Sequence, residues 1–388
     1  MSNAFFQILR RFPDAEGDNL VAVDATDRLV LAEAGAAIQA AAPGRVVVVG
    51  DRYGAMTLGA MALHGAEDVR VHQDPITGEQ ALAHNAIRAG LTNGFRQLPL
   101  THELFAGATV VLCQLPKSLD ALREIAQLAA TNADSGGRLF FGGRVKHMTI
   151  AMNDVLADCF AEVRASLAVQ KSRVLVARQP RLDLSLSSFP MRQHHADLDL
   201  WVCAHGTAFA GTKLDIGTRF LLEFVHRMDP AASTAVDLGC GTGVIAAALA
   251  RSRPQLNVLA TDESAGAVSS ALATMAANEL TERVQVLRDD AMSTLPDASV
   301  DLIVCNPPFH LGTSVHTGAA QKLFEAAGRV LRPGAQMWTV FNSHLTYRGH
   351  LNRVVGPTRV MGRNAKFTVA VSTRSAQDRS ERGLSARP

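Results

Sequence analysis

The decapeptide DLIVCNPPFH at 301–310 gathers groups suited to holding a flat, conjugated amine. The side-chain oxygen of Asn306 and the carbonyl of Pro307 are two acceptors that can take both hydrogens of an NH2 group, and Phe309 can stack on the ring that bears it. Two such bonds draw the nitrogen toward tetrahedral geometry and free its lone pair for attack, so that step needs no charged base. A Pro-Pro pair alone is more often a rigid turn at a strand end. Asn ahead of it and an aromatic behind it, downstream of a glycine-rich turn, favour the amine-holding reading.

That turn is AVDLGCGTGVI at 235–245. Gly239 and Gly241 let the backbone pass close to a ligand, and Asp237, inside the motif, can orient the loop and meet an amino group. No Lys-Ser/Thr pair follows, so the turn lacks the ending of a phosphate-gripping loop. A phosphate-free ligand with a cationic amino-acid end fits better than a nucleoside triphosphate. Asp262 closes the next apolar run, 19 residues after Gly243, where an acid can grip the two hydroxyls of a ribose. Asp289 and Asp290 close the run after that and can accept from an adenine N6 amine, Asp290 having the better spacing.

The elements that must position these residues read as a parallel α/β sheet. Leu302 to Cys305 is a short apolar run stopped by prolines, which cannot donate to a ladder, as expected of a buried parallel strand. A helix is expected from about Ile216. The first half of the chain rehearses the second: RVVVVGDRYGAM at 45–56 matches the glycine turn, VRVHQDP at 69–75 matches VLATDES at 258–264, and LCQLPK at 112–117 matches VCNPPF at 304–309. Aligning 137–149 with 334–346 sets His344 on His147, and 173–178 aligns with 366–371. A repeat of about 190 residues is a tandem pair of domains rather than a solenoid. Arg52 stands where the second copy has Gly241, and Gln114-Leu115 where it has Asn306-Pro307, so the first copy keeps the fold without the small-molecule site. The expected organisation is a degenerate domain over 1–180, a linker over 181–200, a catalytic domain over 201–372 and a disordered tail over 373–388.

In this order the features resemble the class I S-adenosylmethionine-dependent methyltransferases. LDIGTRF at 214–220, VDLGCGTGVI at 236–245, TDES at 261–264 and CNPPFH at 305–310 are similar to the ribosomal RNA guanine-N2 methyltransferases, and LRRFP at 9–13 and LPKSL at 115–119 fit their large-subunit (23S) branch. The resemblance covers nearly the whole chain. It implies an α/β fold built as a tandem pair of class I, Rossmann-like methyltransferase domains with the N-terminal copy degenerate. It implies donor binding by Asp237, Gly239, Gly241, Asp262 and Asp290, and a segment Phe209–Thr218 folded over the donor, with Asp215 and Gly217 as contacts. It also implies positioning of guanine N2 by Asn306, Pro307 and Phe309, with His310 able to touch RNA. Small-subunit (16S) rRNA, DNA adenine and protein glutamine are the alternative substrates, since Asn-Pro-Pro-aromatic serves any planar amine. A non-catalytic RNA-binding assembly factor is the alternative outside enzymes, and the intact second constellation argues against it.

Composition sets the remaining expectations. No apolar run of the 388 residues approaches the ~20 of a membrane span, and the start MSNAFFQILRRFP has no apolar core or cleavage site of a signal peptide, so a cytoplasmic protein is expected. The five cysteines form no CxxC pair and no cluster with metal spacing; they read as reduced core residues, with no metal expected. A net charge of +2 means that RNA contact must come from a local patch. Residues 138–181 hold eight Lys/Arg against three acids, and Arg144, Lys146, Lys171 and Arg173 are the candidate phosphate contacts. A chain that carries its own second domain needs no partner copy, so a monomer is expected.

Overall fold

In the computed structural model the described residues are 2–375 apart from 18–19, 185, 187–188 and 309–313; of 2–3 and 314–317 only the backbone is described. Phe309, His310 and the tail beyond 375 therefore lie outside the described residues. Contacts divide the chain into two units, the first comprising Met1–Met191, His205–Gly211 and Ser264–Gly266, and the second the described parts of Arg192–Ala204, Thr212–Glu263 and Ala267–Pro388.

The first unit is built on seven strands, β1 (Val46–Val49), β2 (Val69–His72), β3 (Phe95–Gln97), β4 (Val110–Gln114), β5 (Arg138–Arg144), β6 (Phe160–Ala165) and β7 (Ser172–Pro180). The second carries a two-stranded ribbon, β8 (Met191–His195) and β9 (Leu200–Ala204), and seven further strands. These are β10 (Thr234–Leu238), β11 (Asn257–Asp262), β12 (Val284–Arg288), β13 (Val300–Cys305), β14 (Leu331–Asn342), β15 (Thr358–Arg363) and β16 (Phe367–Thr373). The sheet orders, β3-β2-β1-β4-β5-β7-β6 and β12-β11-β10-β13-β14-β16-β15, are the same order position for position. In each, β7 or β16 enters antiparallel between its two neighbours and the remaining pairs are parallel.

The central strands are apolar throughout because helices cover both faces: β1 is four consecutive buried valines, and Leu302 to Cys305 of β13 are without exposed surface. Burying each such side chain is worth roughly 1.5–3 kcal/mol as an upper figure. All five cysteines are buried and unpaired. Among the described residues no helix is long and apolar enough to cross a membrane.

Two expectations are corrected. The stretch read as a linker over 181–200 contains β8, which the sequence does not announce because MRQHH is polar and none of its residues is fully buried; the side chains that anchor the ribbon, Leu200, Val202 and Ala204, are buried on β9. The alignment of the two copies is shifted near its end. Cys113 faces Phe141 and Cys305 faces Thr339, so Thr339 corresponds to Phe141, one residue away from the alignment that set His344 on His147. By the same logic Ala370 corresponds to Leu175, two residues away. A one-residue slip exchanges the faces of a strand, which apolar content alone does not detect when both faces are buried.

Candidate active site

The candidate side chains sit at the carboxyl ends of β10, β11, β12 and β13, the edge where open parallel sheets bind ligands. Leaving β10, the chain turns through Gly239, Gly241 and Gly243 at φ 73°, 53° and 77°, conformations open to glycine and costly for other residues. A Cβ on Gly243 would lie 2.9 Å from Met275 Cε and 3.1 Å from Ala271 Cβ, so this glycine lets the helix Val244–Ser252 pack on the helix Ala265–Ala277. At Gly239 and Gly241 a Cβ would meet nothing within 4 Å. Those two glycines face open space, as a backbone that admits a ligand must.

Asp237 is fully buried on β10, with Oδ2 accepting the Ala246 N–H at 2.9 Å and Oδ1 buried without a partner. Burial pushes its carboxyl up to about 7; the Ala246 N–H draws it down and the Asp262 carboxylate adds to the rise. Asp262, ending β11, accepts the Gly241 N–H on Oδ2 at 3.0 Å, tying the ribose-type acid to the glycine turn. The two acids after β12 divide their work. Asp289 takes the backbone N–H and hydroxyl of both Ser293 and Thr294; burial acts upward on its carboxyl, and these bonds outweigh it and leave it below the ordinary range. Asp290, without those bonds, forms an ion pair with Lys322 at 2.5 Å. Sequence reasoning missed Lys322, which no motif marks.

At the end of β13, Asn306 gives its Nδ2 hydrogens to Asp215 Oδ2 and Thr218 Oγ1, both at 2.8 Å, and its Oδ1 is buried without a partner. Asp215, expected at the donor, is also the N-cap of the helix Ile216–Leu222, accepting the Thr218 N–H at 2.9 Å. Gly217 is the second residue of that helix. Pro307 is buried beside Asn306. Of the segment expected over the donor, Phe209 to Gly211 group with the first unit and Thr212 to Thr218 with the second.

The basic candidates of the first unit meet at one end of the antiparallel β5–β7 pair. Gly143 and Arg144 of β5 face Arg173 and Ser172 of β7, Val145 donates its N–H to the Lys171 carbonyl at 2.9 Å, and Lys146 lies in the turn Val145–His147. Lys146 and Lys171 are exposed, and Arg173 Nε is buried without a partner. Among the described residues no group of His, Cys, Asp and Glu has the geometry of a metal site.

A Rossmann-like sheet with a glycine turn facing open space, an acid at the end of the adjacent strand and an amide beside a Pro-Pro pair defines a class I S-adenosylmethionine-dependent methyltransferase. Family models divide the chain in the same sense: an RLMG N-terminal domain matches residues 3–182 and a Methyltransferase small domain matches 199–371. The chain is 34% identical over 372 residues to the Ribosomal RNA large subunit methyltransferase G of Streptomyces coelicolor, covering 94% of this chain and 97% of that one. It is 34% identical over 366 residues to the protein of that name from Pseudomonas aeruginosa, covering 93% and 96%. It belongs to the family of ribosomal RNA large subunit methyltransferase G. In fold it is similar to the T. thermophilus 16S rRNA N2 G1207 methyltransferase RsmC, solved in complex with AdoMet and guanosine, with a TM-score of 0.70 at 21% identity over 90% of this chain and 92% of that one.

Proposed function

We propose that this chain transfers a methyl group from S-adenosylmethionine to the exocyclic N2 amine of a guanine in large-subunit (23S) rRNA. The observation that carries the reading is the Oδ1 of Asn306, a buried acceptor with no partner, at the strand end where a target amine must arrive. A buried polar atom left unpaired costs about 1–3 kcal/mol, which a bound amine would relieve. The large-subunit relatives at 34% identity over nearly the whole chain favour 23S over 16S rRNA.

The donor fits the residues present: Gly239 and Gly241 leave space for its methionine portion, the free Oδ1 of Asp237 suits its ammonium end, Asp262 its ribose and Asp290 its adenine. When bound it supplies an electrophilic methyl carbon. Asn306 Oδ1 and the Pro307 carbonyl accept the two hydrogens of N2, so the nitrogen lone pair points away from the acceptors and along the line of transfer. Phe309 and His310 keep the roles implied by resemblance, ring stacking and RNA contact. The guanine must leave any stack to reach this edge, which costs a few kcal/mol unless it is already unpaired. The β5–β7 edge of the first unit supplies phosphate contacts through Arg144, Lys146, Lys171 and Arg173.

Transfer of tritium from S-adenosylmethionine to unmodified 23S rRNA, followed by nuclease digestion, tests the reading. The expected product is N2-methylguanosine, with Asn306→Ala slower by about 10²–10³-fold. Label in 16S rRNA alone, in another nucleoside or in no RNA overturns it.

A further inference from the structure

We propose that Asp215 and Thr218 are positioning residues that fix the polarity of the Asn306 amide, so that its oxygen and not its nitrogen meets the target amine. The inference rests on the reading of Asn306 as an acceptor for that amine. An Asn side chain presents an acceptor on one side and two donors on the other, and in shape the two are nearly interchangeable. A flipped Asn306 would turn its NH2 group toward an incoming NH2 group, donor against donor, and the site would reject its substrate. Something must therefore choose one orientation before the substrate arrives.

Asp215 Oδ2 and Thr218 Oγ1 each accept one Nδ2 hydrogen at 2.8 Å. In the flipped state both hydrogens would lose these acceptors, and Oδ1 would face Asp215 Oδ2, acceptor against acceptor. The carboxylate is itself held in place, because the same Oδ2 caps its helix through the Thr218 N–H at 2.9 Å. Gly217 completes the arrangement: a Cβ there would lie 3.0 Å from Asp215 Oδ2 and 3.2 Å from Phe367 Cε1. The run Asp215-Ile216-Gly217-Thr218 is thus a helix start whose capping acid serves a second group 91 residues away.

The first unit separates the scaffold from this device. Gln114, in the place of Asn306, donates its Nε2 to Asp27 Oδ1, and Asp27 occupies the place of Thr218 on the helix Ala25–Gln39. Asp24, in the place of Asp215, gives its side chain to the Thr26 and Asp27 N–H groups. A link from strand end to helix start is therefore a property of the fold in both copies, whereas the hold on both amide hydrogens that leaves a buried free oxygen is seen in the second.

A reciprocal exchange tests the proposal. Asn306→Asp keeps an acceptor toward the substrate but sets a second carboxylate oxygen against Asp215. Pairing it with Asp215→Asn restores a donor and an acceptor with their positions exchanged. With tritium transfer to 23S rRNA as the assay, Asn306→Asp alone is expected to lower kcat about 10²–10³-fold. The double variant is expected to regain at least about tenfold of that loss, with KM for S-adenosylmethionine within about twofold of wild type throughout. Thr218→Val is expected to lower kcat about tenfold at unchanged donor KM, and Thr218→Ser to recover it. Recovery of melting temperature without recovery of kcat in the double variant would show a cap and nothing more. Unchanged kcat with a raised donor KM in Thr218→Val and Asp215→Asn would instead make these residues donor contacts; either result overturns the proposal. Full activity of Asn306→Ala would sink the underlying reading of Asn306, whereas an inactive Asn306→Ala beside fully active Asp215 and Thr218 variants would sink the positioning role alone.

Discussion

Leaving β1, the chain turns through Gly50, Arg52 and Gly54 at φ 75°, 49° and 87°; leaving β10, it turns through Gly239, Gly241 and Gly243 at 73°, 53° and 77°. The backbones match and the polar groups do not. In the first turn Asp51 gives one oxygen to the Met56 N–H and the other to the Thr57 N–H, both at 2.7 Å. Tyr53 donates its hydroxyl to Asp14 at 2.7 Å, and Asn85 donates to the Tyr53 and Arg10 carbonyls at 2.8 Å. Before the second turn, Asp237 on β10 satisfies one oxygen and leaves the other buried and unpaired. At these turns the two copies thus differ in whether the buried carboxylate has both oxygens answered from within the chain. In that sense the first copy is closed, and the second keeps an acceptor open at its turn.

The sharpest way to break this comparison is to give the second turn the first turn's residue. Gly241→Arg places a side chain where nothing lies within 4 Å of a Cβ, at a φ that Arg52 already tolerates in the first copy. The fold should survive with a cost of about 1 kcal/mol, while equilibrium binding of S-adenosylmethionine falls by more than about 10²-fold, a loss of at least ~2.7 kcal/mol. Donor affinity within a few-fold of wild type would mean that Gly241 does not face the donor. The reverse change, Arg52→Gly, should create no donor binding, because Asp51 stays satisfied.

Asp237 gives the next effect. Its carboxyl is pushed up to about 7, burial being the main cause, so near neutral pH it is poised between neutral and charged. The folded pKa lies above the unfolded 3.8. The ligand-free domain therefore loses stability as pH rises from about 4 to about 7, and a cationic donor that needs the ionised form gains affinity across that window. Donor Kd should fall up to about tenfold per pH unit below 7 and level off above it. Asp237→Asn should weaken binding about tenfold at pH 8 and flatten the profile. A wild-type profile already flat from pH 5 to 8 would exclude Asp237 as the partner of the ammonium group.

The parts of this architecture legible in the sequence are those where chemistry is local. Glycines that must turn left, prolines that must end a strand and an acid at a strand end each declare themselves within a few residues, and together they placed the edge of the sheet that carries the site. What stayed hidden depends on distant contacts. Thr218 and Asp215 reach Asn306 across 88 and 91 residues, so nothing near Asn306 announces its partners. Asp289 and Asp290 are chemically alike in sequence and separate only through Ser293 and Thr294 on one side and Lys322 on the other. β6 follows the helix Ile150–Cys159 without an intervening loop, and FAEVRA carries no turn residue to mark the change. The strand register slipped because β14 and β16 are apolar on both faces, and a pattern without alternation fits several alignments.

The last contrast concerns the closed copy and should leave methyl transfer untouched. Asp27 is buried beneath the first unit's turn, and its carboxyl is pushed up to about 8, first by burial and then by the neighbouring Asp24 carboxylate, with Asp51 adding to the rise. Between about pH 4 and pH 8 the unfolded chain has given up a proton that the folded chain keeps, so stability falls as pH rises through that window and is level above it. Asp27→Asn removes the titration. It also removes one acceptor from the pair that serves the Asp24 N–H and Gln114, so the variant's stability at any single pH is a mixture of gain and loss. The slope separates the two: stability against pH from 5 to 8 should fall less steeply in Asp27→Asn than in wild type, by roughly 3–4 kcal/mol over the window, with donor affinity unchanged. Equal slopes would show that the carboxyl beneath the first turn ionises normally, and the closed copy would then be sealed by its hydrogen bonds without holding a proton.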